Sequence, residues 1–430
     1  MKRLVTILAV VLLVIGWYQT VHAVFGKTAK YNEHVETAEA YAKKEIFEDA
    51  LTEFQAASAI KPDAEDIKLR IAETELALDE RGQFVSDCEA LIYQKNVNKE
   101  ALKLLSDYYI SYGELEKLVS MLKDLRKNHE DDLAIEELWM KYRGAYEELY
   151  YSYEELTSFY GETAVVSNGG KYGLIDTSGE NLFPQEYDAV TALSEEIEVA
   201  SVSENGKWYY INTKIHKKIV PDESYDYLGI ISEDKVVTGK NKKFGFADSK
   251  LNLLTECEWE AASNFYGGIA AVQKNGKWAL LGEDLKLKTD YIYDDILIDE
   301  AGFCSRENRV FAKQKDAYYL LDESGNRVGK LKFEDAEPFG DDNMTAVCMN
   351  GKWGFINTDG ELVIKCSYED AKTFAYGLAP VREKEVWGYI DTSGSSMIKA
   401  QFEDAYPFTK EGTAPVKDGD WFLIRLYALQ

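Results

Sequence analysis

The stretch NGKWGFINTDG, residues 350–360, decides how the C-terminal part of this chain is read. Asn-Gly-Lys-Trp also stands at Asn205–Trp208 and Asn275–Trp278. An aromatic residue occupies the Trp353 position in each copy: Tyr172, Trp208, Phe244, Trp278, Tyr318, Trp353, Trp387 and Trp421. The steps between them are 36, 36, 34, 40, 35, 34 and 34 residues. A second aromatic, usually followed by an acid, comes 15 residues later in six copies and 17 in one, at Tyr187, Tyr225, Trp259, Tyr293, Phe333, Tyr368 and Phe402. Tyr153, in SYEELTSFYG, opens the array as Tyr368, in SYEDAKTFAYG, precedes Trp387. Eight repeats therefore fill residues 153–430, the last cut short.

Each repeat has one physical reading. Gly-Leu-Ala-Pro-Val, residues 377–381, is a short apolar strand. Asn-Gly then supplies the positive backbone angles of a tight hairpin. Trp-Gly-Phe-Ile-Asn is a second strand, and its Gly leaves room for a neighbouring ring or backbone. Asn357-Thr-Asp-Gly-Glu361 makes the next turn, and Leu362-Val-Ile364 a third strand. A three-stranded meander of this size buries its faces only by stacking on neighbours.

These residues resemble the WG-repeat family, also called KWG repeats, whose signature is Gly-Lys-Trp-Gly-Tyr-Ile-Asp. Trp353-Gly354 and Trp387-Gly388 match it fully, while Tyr172-Gly173 and Phe244-Gly245 keep the Gly. Tyr209, Ala279, Tyr319 and Phe422 replace the Gly elsewhere, so those repeats are expected to pack differently. The resemblance implies a bacterial, all-β repeat domain and almost no chemistry. Repeats of this length and number suit a closed β-propeller, with an open β-solenoid as the alternative.

The acidic phrase raises a catalytic reading, since Glu334-Asp335, Glu369-Asp370 and Glu403-Asp404 offer carboxylate pairs for glycoside cleavage. An active site is one asymmetric constellation, whereas these acids recur at one offset. They are expected to hold the repeats together, by capping turns or bonding backbone. The turn at Asn357–Glu361 resembles part of a calcium loop but supplies too few oxygen ligands. His22, His34, His129 and His216 are dispersed and build neither a metal site nor a triad. Cys88, Cys257, Cys304, Cys348 and Cys366 fit no zinc spacing and read as thiols, with Cys348 and Cys366 a candidate pair. No catalytic, metal or cofactor-binding residue is assigned, no cofactor is expected, and binding residues are left open. The 40-residue step carries an insertion, ILIDEAGFCSREN at residues 296–308, and insertions in repeat arrays map to loops on the binding face.

A balance of 49 basic against 76 acidic residues gives a net charge of −27, which disfavours nucleic acid and anionic lipid surfaces. The chain opens with Lys2 and Arg3 ahead of an apolar run from Leu4 to Tyr18. This reads as a membrane segment over residues 1–26, its basic flank cytoplasmic. Val21-His-Ala23 offers a cleavage site, which would give a secreted protein; the bulky Trp17-Tyr18 pair favours an uncleaved anchor.

Residues 30–150 carry apolar positions three and four apart, as in Leu115, Leu118, Leu122 and Leu125, which predicts helices. Tyr41, Ala50, Phe54, Ala57 and Pro62 resemble a tetratricopeptide repeat, followed by degenerate copies. Three to four helical hairpins are expected, either as a peptide-binding array or as a spacer. The whole reads as a multidomain α-then-β chain: membrane helix, tetratricopeptide-like hairpins, and an all-β repeat domain over 153–430. The functional expectation is a single-pass, extracytoplasmic, non-enzymatic binding or assembly scaffold. Its partner is expected to be a protein or cell-envelope component. An envelope glycan hydrolase and a structural spacer are the alternatives.

Overall fold

The computed structural model describes Trp17, residues 24–194 and residues 197–429. The expected membrane segment lies outside the described residues, apart from Trp17 and residues 24–26. No helix among the described residues is long and apolar enough to cross a membrane. The chain divides into two compact units, Met1–Tyr142 and Arg143–Gln430.

The first unit is helical. A helix over 24–42 is followed by Phe47–Ile60, Glu65–Ala77, Arg81–Ile92, Lys99–Ser111, Leu115–Asn128 and Leu133–Tyr142. Consecutive helices pack on one another, as short connections between antiparallel neighbours require. The small Ala38, Ala50 and Ala57 let the first helices approach, with Phe54 filling the groove between them. In Leu115–Asn128 three of the four expected stripe positions are buried, Leu118, Leu122 and Leu125, with Val119 and Met121, while Leu115 is half-buried.

The second unit is an eight-bladed β-propeller. Blade 6 shows the plan, with antiparallel strands Asp335–Ala336, Met344–Met349, Lys352–Asn357 and Leu362–Tyr368 in sequential order. The three-stranded expectation misses the first of these, the two-residue innermost strand. Two residues are too few to show a period. The hairpin turns are as expected: Asn350 and Gly351 take φ of 55° and 69°, and Asn205 and Gly206 take 53° and 73°.

The Gly of the Trp-Gly pair faces backbone rather than a ring. A Cβ on Gly388 would stand 2.5 Å from the Ala400 nitrogen, and one on Gly354 would stand 2.6 Å from the Cys366 nitrogen. In both blades the outer strand shifts register at this point, so its backbone rides over the Gly. Blade 2, with Tyr209 instead, pairs its short outer strand Lys217–Ile219 in plain register. Blades 4 and 5, with Ala279 and Tyr319, hold the outer segment by two isolated bridges each, Trp278 to Tyr293 and Leu281 to Leu287, and Tyr318 to Phe333 and Leu321 to Arg327. Blade 3, which keeps Gly245, does the same through Phe244 to Trp259 and Ala247 to Leu253.

The array closes into a ring. The eighth repeat supplies Asp404–Ala405, Thr413–Asp418 and Asp420–Leu426, and its outer strand is Tyr146–Tyr153, which precedes the first repeat. Arg143 anchors the approach to this strand, donating to Asp391 at 2.8 Å and to the Ser396 carbonyl at 3.0 Å. The open solenoid is therefore excluded. The core lies between blades. Phe246, Phe355 and Tyr389, each two residues after the signature aromatic, meet Phe265, Phe374 and Phe408 of the next blade at 5.0, 4.7 and 4.7 Å. No blade buries its faces alone, so ring closure and blade stability are linked.

Candidate functional site

The segment after each innermost strand runs toward the propeller axis, because Tyr160, Ala192, Ile230, Tyr266 and Phe303, from five different blades, meet in one cluster. The insertion of blade 5 fills this side of the axis. Phe303 is fully buried, stacked on Tyr160 at 5.0 Å and edge-on to Tyr266 at 5.9 Å. Asn264 of blade 4 pins the loop, its backbone N–H donating to the Gly302 carbonyl at 2.7 Å and its side-chain amide to Ala301 at 2.9 Å. Gly302 takes φ of 88°, where a side chain is strained.

What the insertion leaves open is a cavity of about 410 Å³ lined by blades 1, 5, 6, 7 and 8. Its walls include Ser158, Tyr160, Asp299, Glu300, Arg306, Glu337, Phe339, Asp341, Lys372, Tyr406 and Phe408. The sequence-predicted recognition insertion thus forms one wall, through Ile298–Ala301 and Arg306. Sequence reading missed the other walls, whose residues stand at ordinary repeat positions; ring closure alone brings them together.

The charges in the cavity are arranged unevenly. Arg306 reaches Asp299 at 3.4 Å, and its guanidinium lies over the rings of Tyr266, Tyr160 and Phe303. Lys372 pairs with Asp404 at 2.7 Å and sits 3.8 Å above the Tyr406 ring. Glu300 closes the rim, accepting from the Ser158 N–H at 3.0 Å and the Tyr406 hydroxyl at 2.7 Å. Burial raises the carboxyls of Asp299 and Asp341, with Arg306 opposing in each case. Burial also pushes Glu337 up to about 7, Lys372 opposing and Asp335, Asp370 and Glu300 adding to the rise. Cys304 is buried and its thiol is pushed up to about 12, so it is no nucleophile at neutral pH.

The acid pairs considered for catalysis are split. The first acid accepts backbone N–H groups at the hairpin turn: Glu334 from Asn350 at 3.0 Å and Gly351 at 2.8 Å, and Glu369 from Glu385 at 2.9 Å. Glu154, Asp188, Asp226, Glu260 and Asp294 do the same in their blades. The second acid sits on the innermost strand, where Asp370 faces Arg382 at 3.7 Å and Asp404 meets Lys372. A bond repeated in seven of the eight blades is scaffold, since chemistry needs only one site. In the calcium-like turn, the Asn357 side-chain oxygen is taken up by the N–H groups of Asp359 at 3.1 Å and Glu361 at 2.9 Å. Among the described residues no group of three or more His, Cys, Asp or Glu is set to hold a metal. The five cysteines are free. Trp353 is half-buried, whereas Trp387 is 5% exposed.

The model of the WG-containing repeat matches this chain five times, over residues 172–208, 244–278, 320–353, 353–386 and 387–420. No curated protein matches. Among solved structures, the dihydro-heme d1 dehydrogenase NirN in complex with DHE is 13% identical with a TM-score of 0.43, over 70% of this chain and 82% of that one. Kluyveromyces lactis Hsv2 is 10% identical with a TM-score of 0.38, over 63% and 97%. The WD40 domain of SCAP from fission yeast is 10% identical with a TM-score of 0.39, over 66% and 98%. At these scores the likenesses add nothing to the strand pairing. The recurring aromatic-Gly phrase, the blades it builds and the five family matches together make this chain a WG-repeat protein.

Proposed function

We propose that the chain is a non-enzymatic binding or assembly scaffold whose recognition site is the axial cavity of the propeller. The observation that carries this reading is the blade 5 insertion. It departs from the repeat, packs Phe303 against residues of blades 1 to 4 and leaves a cavity bordered by five blades. The cavity offers fixed charges and rings, with no activated nucleophile, which suits recognition. Its partner is a protein or another component of the cell envelope. The basic, apolar N-terminus supports anchoring in the cell membrane with both folded units outside the cytoplasm.

The test is capture from envelope extract by the full chain and by Ser158→Trp, which fills the cavity from a half-buried rim position. Loss of the wild-type partner, with unchanged melting, is the expected result. Retention of that partner by Ser158→Trp would show that recognition lies elsewhere. Location is tested separately. The chain should resist alkaline extraction from membranes and be digested by protease added outside the membrane; a protected, freely soluble chain contradicts the anchor.

A further inference from the structure

We infer that the axial cavity receives a basic side chain, lysine or arginine, presented by a protein partner. This rests on the reading of the cavity as the recognition site and adds the chemistry of what enters. Four carboxylates line it, Asp299, Glu300, Glu337 and Asp341, against two cations, Arg306 and Lys372. Both cations are already engaged: Arg306 by Asp299 and a bed of rings, and Lys372 by Asp404, which stands outside the lining. Glu300 is held by Ser158 and Tyr406. Among the described residues Glu337 and Asp341 have no ion-pair partner and no side-chain hydrogen bond.

An anionic ligand would meet this surplus of negative charge. An apolar one would strand two carboxylates away from water, which costs free energy without return. A cation satisfies them. The volume lies within the roughly 300–1,000 Å³ usual for ligand sites, so a long side chain fits with some of its water.

The burial that raises Glu337 makes occupancy proton-linked. Lys372, Asp335, Asp370 and Glu300 face this carboxyl, with Asp341 and Arg306 elsewhere in the same cavity. Empty, Glu337 holds a proton below about pH 7; a bound cation favours its ionised form and expels that proton. Affinity therefore rises as pH rises through 7.

The experiment is fluorescence anisotropy with the full chain and a labelled peptide, Gly-Ser-Lys-Ser-Gly, alongside versions with Arg, Gln or Glu at the centre. The Lys and Arg peptides should bind at least ten-fold more tightly than the Gln peptide, and more tightly at pH 8 than at pH 6. Glu337→Gln and Asp341→Asn should each weaken the Lys peptide several-fold while melting as wild type does. Glu411→Gln, on an exposed turn outside the cavity, should leave it unchanged. Equal binding of the Lys and Gln peptides, or equal losses in all three variants, overturns the inference. Tighter binding of spermidine than of the peptide overturns the assignment to a protein. Failure here combined with partner loss in Ser158→Trp removes the charge assignment and keeps the cavity; partner retention in Ser158→Trp removes the cavity itself.

Discussion

Tyr153 lies directly opposite Trp421 on adjacent antiparallel strands, so the first ring of the repeat array and the last are backbone neighbours. Both are buried, at 4% and 8% exposure, in a cluster with Leu156, Ala164, Val166, Ile175 and Leu423 that joins blades 8 and 1. The register slips between Leu149 and Ser152, opposite Leu423 and Phe422. Two extra residues, Tyr150 and Tyr151, thus pass the point where blades 6 and 7 need Gly. That is how the last repeat tolerates Phe422. Closing such a ring costs loop entropy that grows only slowly with chain length, while an unclosed ring leaves two apolar blade faces in water.

The turn caps are predicted to contribute modestly and locally. Glu334→Ala removes the acceptor for the N–H groups of Asn350 and Gly351, at a site open to solvent. The propeller should melt about 2–4 °C lower by calorimetry. Glu334→Gln keeps one oxygen acceptor and should lose less. A cavity-binding defect in either variant, without a shift in melting, would mean that these acids do more than cap.

The Gly after the signature aromatic is predicted to matter only where the outer strand crosses it. Gly388→Ala drives a Cβ to 2.5 Å from the Ala400 nitrogen, backbone that cannot step aside cheaply. It should cost about 2–3 kcal/mol in urea unfolding. Ala279→Gly, at the matching position of blade 4, should cost about 1 kcal/mol or less, from lost strand stiffness alone. Equal costs would show that the register shift is not the reason for the Gly.

This contrast also marks what the sequence made legible. The spacing of Trp353 from Trp387 and of each aromatic from its acid exposed the number and length of the blades, because every blade repeats the same hairpin. The 40-residue step exposed the insertion. The strand Asp370–Ala371 was not legible, since two residues carry no period. Nor was Tyr146–Tyr153, whose partner Asp420–Leu426 stands at the far end of the chain, where local pattern says nothing. The cavity needed both: Glu337 and Tyr406 look like any post-strand residues until closure sets them beside Glu300.

In the helical unit, Glu75 is 2% exposed and its Oε2 lacks a partner among the described residues. Burial pushes its carboxyl from the ordinary 4.5 up to about 7, with Asp87 and Glu80 adding to the rise. Below about 4.5 folded and unfolded forms both hold the proton. Between 4.5 and 7 only the folded form holds it, so this group's stabilisation declines as pH rises and is gone above 7. Glu75→Gln should therefore stabilise the unit by about 1–3 kcal/mol at pH 8 and by nothing near pH 4.5. Urea unfolding at the two pH values reads this; a mutant no more stable at pH 8 refutes the buried-charge account.

The closed ring is the claim on which the cavity, and everything proposed for it, depends. Calorimetry of the fragment 143–430 beside 154–430 tests it directly. The first retains Arg143 and the strand Tyr146–Tyr153; the second leaves the edge Asp420–Leu426 unpaired. The first should unfold in one cooperative transition. The second should melt at least 10 °C lower or associate through its open edge, and recover when a peptide of residues 143–153 is added. Identical melting of the two fragments, with both monomeric, would contradict ring closure by this strand.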